Sequence, residues 1–123
     1  MSQKHVSNIA RAAAIFFLPA WSAVVGGELG NGGAGINLWD KAMHFSAYFI
    51  LALLVSVALA GRRTMIWALL GLVAMGGALE IVQGFIGRDC SIYDEVANTL
   101  GVVTGALLAR AVVAILVRVP PAD

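Results

Sequence analysis

Three apolar stretches of the chain carry polar side chains at helical spacing. In the first, Asp40, His44 and Tyr48 follow one another at intervals of four residues, with Lys41 beside Asp40. In a helix these side chains lie along one face. An imidazole in such a set can transfer protons, and an ammonium group can bind an anion. The first set therefore indicates acid–base chemistry or recognition of an anionic ligand.

Two further sets follow along the chain. Glu80 and Gln83 share a helix face shortly before Arg88, and Asp94 and Asn98 are four residues apart. Because successive membrane-spanning helices alternate in direction, we expect all three sets to meet at one end of the molecule. For any single residue an interhelical hydrogen bond is the simpler interpretation, whereas the whole set favours a binding or catalytic site.

Carboxylates and a histidine can also bind a divalent cation, and the conceivable ligands are Asp40, His44, Glu80 and Asp94. Their spacing matches no metal-binding motif. The sequence also lacks the strong catalytic signatures His-Glu-x-x-His, Gly-x-Ser-x-Gly and the Walker loop. We therefore assign no metal and no cofactor from the sequence, and binding of a divalent cation by this cluster stays an open alternative.

The composition excludes several classes of protein. Of 123 residues, 60% are hydrophobic and only 12% are charged, against roughly 45–50% apolar residues in soluble domains. The net charge of +1 provides no excess of positive charge to bind nucleic acid. A single cysteine, Cys90, cannot form an internal disulfide. These values indicate an integral membrane protein without a nucleic-acid partner.

Four apolar runs, at residues 9–26, 42–60, 64–86 and 96–117, can each cross the membrane as a helix. None alternates with the period of two that a membrane-spanning strand requires. The predicted fold is all-α: a four-transmembrane-helix bundle that forms a single domain over residues 1–123. The first run also resembles a signal peptide, and this alternative stays open.

Basic residues are distributed unevenly between the two sides of the predicted bundle. Lys41 and Arg88 fall on one side. The other side carries Lys4, Arg11, Arg62, Arg63, Arg110 and Arg118. The positive-inside rule makes that second side cytoplasmic, so both termini are predicted to be cytoplasmic and the polar sets to face outward. Arg110 either extends to the cytoplasmic headgroups or has a buried partner.

Three structural details are also predicted. Gly101 and Gly105 form a small-xxx-small pattern that lets another helix approach closely, and we expect that helix to be the third. Within its apolar run, Glu80 requires a proton or a countercharge, for which Lys41, Arg88 and His44 are the candidates. Residues 26–35 include six glycines and are expected to form a flexible outward loop.

These motifs together resemble the VanZ-like family. The pattern is Asp-Lys-x-x-His-Phe from Asp40, Glu-x-x-Gln from Glu80, an arginine at Arg88, and Asp-x-x-x-Asn-x-x-Gly-x-x-x-Gly from Asp94. The resemblance covers about residues 39–105. One departure is the segment 85–88, Phe-Ile-Gly-Arg, which lacks the proline expected shortly before the arginine.

The resemblance implies a small multi-pass protein of the bacterial plasma membrane. The family is named after an accessory protein that gives low-level teicoplanin resistance in some Gram-positive bacteria. An effect on susceptibility to glycopeptide antibiotics and a role in the cell envelope are therefore expectations at the level of the family.

Three hypotheses for function follow. The first is an outward site that binds an anionic lipid or a cell-envelope precursor by its headgroup. Its ligand-binding residues would be Asp40, Lys41, Tyr48, Gln83, Arg88 and Asn98. The second is an intramembrane enzyme that acts on such a headgroup with His44, Glu80 and Asp94 as catalytic residues. The third is a proton-coupled transporter that works as a homo-oligomer with Glu80 as its titrating group.

Overall fold

The computed structural model describes residues 3–29 and 38–118. This part of the chain forms four helices: α1 (Gln3–Leu29), α2 (Leu38–Ala58), α3 (Thr64–Phe85) and α4 (Ile92–Arg118). All four are long and apolar enough to cross a membrane. The structure thus confirms the predicted all-α fold of four transmembrane helices.

α1, α2 and α4 begin before the apolar runs that predicted them, whereas α2 and α3 end two residues and one residue earlier than predicted. α2 begins at Leu38, so Asp40 and Lys41 belong to the start of this helix, and α4 already begins at Ile92. Hydropathy marks only the part of a helix that matches the hydrocarbon core, whereas backbone hydrogen bonding continues into the interfacial layers. α1 continues to Leu29, so residues 26–29 of the predicted glycine loop are helical instead. Residues 30–37 lie outside the described part.

α2 and α4 run in the same direction and form the closest helix pair. A side chain at Gly101 would collide with the carbonyl oxygen of Phe45, and one at Gly105 would collide with the carbonyl oxygen of Phe49. Both glycines therefore permit contact between the two backbones. The prediction that this pattern faces the third helix was wrong: it faces α2. A pattern of small residues shows that some helix approaches, but it does not select the partner.

The glycine on α3 that approaches α4 is Gly76. A Cβ atom there would lie 2.5 Å from the Glu95 Oε2 and 3.0 Å from the Asn98 Nδ2. At Gly76, α3 therefore contacts the polar side chains of Glu95 and Asn98, whereas the face of α4 that carries Gly101 contacts α2. This arrangement leaves α2 in contact with α1, α3 and α4.

The two ends of the bundle are formed by different helix termini and connections. We call the end formed by the start of α2, the α3–α4 loop and the start of α4 the loop end; the end with the α2–α3 turn is the turn end. Between them lies an apolar core of Tyr48, Leu51, Ala52, Val55, Leu69, Leu72 and Val102. Large apolar side chains such as Phe16 and Trp67 point outward, where the hydrocarbon chains of a membrane would cover them.

α1 is the most loosely packed helix. Its buried residue in the described part is Ala13. It nevertheless contacts α2 and α3, and the Trp21 Nε1 donates a hydrogen bond to the Met75 Sδ at 2.9 Å. α1 therefore packs as a helix of the bundle.

Candidate functional site

A lysine–aspartate ion pair joins α2 to α4 at the loop end. The Lys41 ammonium group contacts the Asp94 carboxylate. The same Nζ lies 3.7 Å from the Asp40 Oδ2 and donates a hydrogen bond to the Ser91 Oγ at 3.5 Å. The side chains of Lys41 and Asp94 are only 18% and 7% exposed. Their opposite charges offset each other where water is largely excluded, so Lys41 acts mainly within the protein.

His44 is held between the same two helices. Its Nδ1 lies 3.0 Å from the Asn98 Oδ1. Because an amide oxygen can only accept a hydrogen bond, Nδ1 carries a proton and is the donor of this hydrogen bond. The other ring nitrogen, Nε2, is 4.0 Å from the Asp40 Oδ1 and 3.9 Å from the Asp94 Oδ2. One nitrogen therefore orients the ring, and the other faces two carboxylates.

Asn98 extends this network toward α3. It is fully buried, and its Nδ2 donates a hydrogen bond to the Glu95 Oε2 at 3.3 Å. Glu95 and Asn98 occupy neighbouring positions on α4, and Gly76 leaves the room for both against α3. The interaction fixes the orientation of the Asn98 amide, and through it the orientation of His44.

Glu80 closes the network at the α3–α4 loop. Its Oε2 accepts a hydrogen bond from the backbone N–H of Ser91 at 3.0 Å. Ser91 directly precedes α4, and its carbonyl oxygen accepts the N–H of Asp94 at 3.0 Å. Lys41, one of the predicted countercharges of Glu80, pairs with Asp94 and Asp40 instead. Glu80 thus fixes the start of α4 through a backbone group.

Arg88 is positioned by the way α3 ends. The N–H of Ile86 bonds to the carbonyl oxygen of Val82, and the N–H of Arg88 bonds to that of Gln83 at 2.9 Å. Between them Gly87 has a φ of +83°, the left-handed conformation that glycine adopts after a helix C-terminus. The chain therefore turns at Gly87, although the sequence lacks the proline expected shortly before Arg88.

A cavity of about 380 Å³ opens at the loop end. We call it the loop-end pocket, and its lining consists of Ala23, Val24, Gly27, Asp40, Met43, His44, Ala47 and Arg88. α1 and α2 contribute apolar walls, and three ionisable side chains contribute the polar part. This combination is typical of small-molecule and headgroup sites, in which a few polar groups orient a largely apolar ligand.

The nine predicted site residues separate into two groups. Asp40, His44 and Arg88 line the loop-end pocket. The remainder lie outside its lining: Lys41, Tyr48, Glu80, Gln83, Asp94 and Asn98. Within this second group, Tyr48 is fully buried in the apolar core and Gln83 is 2% exposed. Lys41, Asp94 and Asn98 of the second group contact Asp40 or His44 of the first.

Asp40, His44 and Asp94 also form a group that could hold a metal ion, because one ligand atom from each lies within 4.8 Å of the others. Three protein ligands are the usual number in catalytic zinc sites. The Lys41 ammonium group, however, contacts Asp94 within the same group. A cation at this position would have to displace that ion pair.

Two residues of the network, Ser91 and Glu95, were not predicted as site residues. Ser91 is signalled by its place three residues before Asp94, because a serine at that distance from an acidic residue is typical of a helix N-terminus. Glu95 is signalled by its spacing of three from Asn98. Both act by positioning other groups.

The fold and the network define a small four-helix membrane protein whose polar side chains are organised at one end. The chain belongs to the VanZ/LLP1 family, since the model of that family matches residues 3–116. This match confirms the resemblance and extends it over α1. No curated protein and no solved structure matches the chain.

Proposed function

We propose that the chain binds the phosphate-bearing headgroup of an anionic membrane lipid or cell-envelope precursor in the loop-end pocket. The observation that carries this proposal is the lining of the pocket: Arg88 and His44 stand beside apolar side chains of α1 and α2. A guanidinium group binds phosphate oxygens through two parallel hydrogen bonds, and the apolar walls suit the adjoining hydrocarbon. The predicted outward orientation would make this the outer leaflet of the bacterial plasma membrane.

The pocket lining supports Arg88 as the principal anion-binding residue, because Arg88 belongs to this lining and Lys41 does not. Lys41 is paired with Asp94 behind the pocket, so its charge is largely offset there. The hydrogen bond from His44 to Asn98 orients the ring so that Nε2 lies on the side of Asp40, which also lines the pocket. Asp40 lies on the same lining and favours headgroups that also carry a hydroxyl or an amine.

Arg88→Gln is expected to weaken binding of phosphatidylglycerol and of undecaprenyl phosphate by about tenfold or more, because a charge-assisted hydrogen bond contributes roughly 1.5–3 kcal/mol. Native mass spectrometry of the detergent-purified protein, titrated with each lipid, measures the effect and also reports the oligomeric state. Arg63→Gln is the matched control, since it removes an exposed arginine at the turn end. Equal binding by the two variants would refute the proposal.

A second candidate is an intramembrane enzyme that acts on the same headgroup. The geometry of His44 favours it, because an imidazole with one nitrogen anchored and the other near carboxylates is oriented for general acid–base catalysis. Asp94 would then stabilise the ring, and Glu80 would position the α4 start. Formation of product from a lipid that binds, abolished by His44→Gln, separates catalysis from binding alone.

Proton-coupled transport through Glu80 has no comparable support. The buried polar residues of the described part are His44, Ser56, Glu80, Gln83, Asp94 and Asn98. All except Ser56 lie toward the loop end, which favours binding at that end over transport across the bilayer.

A change in teicoplanin susceptibility on expression in a susceptible Gram-positive host would extend the proposed headgroup binding to glycopeptide resistance.

A further inference from the structure

A second cavity lies at the turn end, far from the loop-end pocket. It has a volume of about 470 Å³ and is bounded by the end of α2, the α2–α3 turn and the last turns of α4. We call it the turn-end groove. Small apolar residues such as Ala109, Val113 and Ala114 form much of its surface, and Arg110 and Arg118 both line it. The volume lies within the range of ligand sites, roughly 300–1,000 Å³.

The depth of the two arginines follows from the register of the helix pair. Gly101 faces Phe45 and Gly105 faces Phe49, which places Arg118 near the level of the α2–α3 turn. Arg110 lies eight residues earlier, about 12 Å deeper along the helix axis. A charge below the membrane surface is costly without a partner. The two sequence-based alternatives for Arg110 were extension to the headgroups and a buried partner, and the groove connects its guanidinium group with the surface.

Among the described residues, the charged side chains at this end are all positive. The segments 50–79 and 101–118 contain no aspartate or glutamate, and neither does α1 up to residue 27. Within the described chain, no carboxylate is therefore available near the groove to pair with Arg110 or Arg118. The groove thus combines apolar walls with two positive charges, which is complementary to an anionic phospholipid.

An independent observation comes from Ser56. This residue is 3% exposed and lines the groove. Its hydroxyl group has no hydrogen-bond partner in the described structure. A buried hydroxyl without a partner costs free energy, and most such groups in proteins are satisfied. An ester or phosphate oxygen of a bound lipid would accept this hydrogen bond.

We propose that the turn-end groove is a second lipid site, which binds one anionic phospholipid from the leaflet at that end of the bundle. The phosphate pairs with Arg110 and Arg118, an oxygen of the lipid accepts the Ser56 hydroxyl, and hydrocarbon covers the apolar wall. The site is independent of the headgroup binding proposed above. The positive-inside rule makes this leaflet the cytoplasmic one.

The test is native mass spectrometry of the full chain purified from bilayers with equal amounts of phosphatidylglycerol and phosphatidylcholine. We expect wild-type protein to retain phosphatidylglycerol. The double variant Arg110→Gln, Arg118→Gln should bind phosphatidylglycerol in the groove about thirtyfold more weakly, since two arginines near the surface together contribute roughly 2 kcal/mol. The double variant Arg62→Gln, Arg63→Gln removes two positive charges from the same end, outside the groove lining, and should retain as much as wild type.

A third variant covers the case in which the arginine variant does not fold. Ala114→Trp fills the groove from an exposed position and keeps both charges, and it should also lose the bound lipid. Arg88→Gln should lose only the molecule of the loop-end pocket, and its addition to the Arg110→Gln, Arg118→Gln variant should cause a further loss, which separates the groove from the loop-end pocket. Three results would overturn the proposal. The first is an equal loss of bound phosphatidylglycerol in both double-arginine variants, and the second is unchanged retention of this lipid by Ala114→Trp. The third is equal retention of phosphatidylglycerol and phosphatidylcholine by the wild-type protein.

Discussion

Gly101→Val should destabilise the bundle by about 3 kcal/mol or more, which is at the upper end of what overpacking costs. The added side chain would meet the Phe45 carbonyl oxygen and the Phe49 nitrogen, both of which belong to the backbone of α2. A backbone within a helix cannot move aside as the end of a flexible side chain can. α2 and α4 would separate, and the pairs Lys41–Asp94 and His44–Asn98 would separate with them. Thermal unfolding in detergent micelles, followed by circular dichroism, measures the loss.

Gly71→Val is the matched control for this experiment. Gly71 is also a helical glycine, and a Cβ atom there meets nothing within 4 Å. Both substitutions carry the same change in helix propensity, so the difference between them isolates the contact between α2 and α4. A melting temperature for Gly101→Val as high as that for Gly71→Val would contradict the tight helix pair described above.

The second large effect is expected for Lys41→Met, which should cost about 3–5 kcal/mol of stability because it leaves the buried Asp94 carboxylate without its countercharge. Methionine keeps the length and apolar character of the lysine stem, so the loss of charge dominates. Asp94→Leu in the same chain should restore a large part of the stability, because it removes the unpaired charge.

A double-mutant cycle makes this prediction quantitative. The variants Lys41→Met, Asp94→Leu and the combination are compared by thermal unfolding, and the departure from additivity gives the interaction energy of the pair. Arg63→Met, a change at an exposed position, serves as the control. Additive effects of the two single substitutions would show that Lys41 and Asp94 do not act as a pair.

The sequence predicted the helices well because the length of an apolar run is a direct measure of what can cross a bilayer. It also predicted that polar sets on three helices converge, since spacing places side chains on a face. The predicted partner of Gly101 was wrong, because α3 also carries glycines at positions 71, 76, 77 and 84. Several helices can accept a close approach, and only the three-dimensional packing selects one.

The contact of Glu80 shows a different limit of sequence interpretation. A search for countercharges considers only side chains and misses the backbone N–H of Ser91, which also donates a hydrogen bond to Glu80. Every residue except proline carries such a donor, so no residue type signals it. The turn at Gly87 was hidden for a related reason: a positive φ is a property of the backbone.

The loose packing of α1 has a consequence for how a ligand would reach the loop-end pocket. α2 and α4 approach each other closely at Gly101 and Gly105, so separating them would lose this packing. One wall of the pocket belongs to α1, which has little buried surface to lose when it moves. A small outward displacement of this helix would open a lateral gate to the bilayer, and a lipid could enter sideways without leaving the membrane.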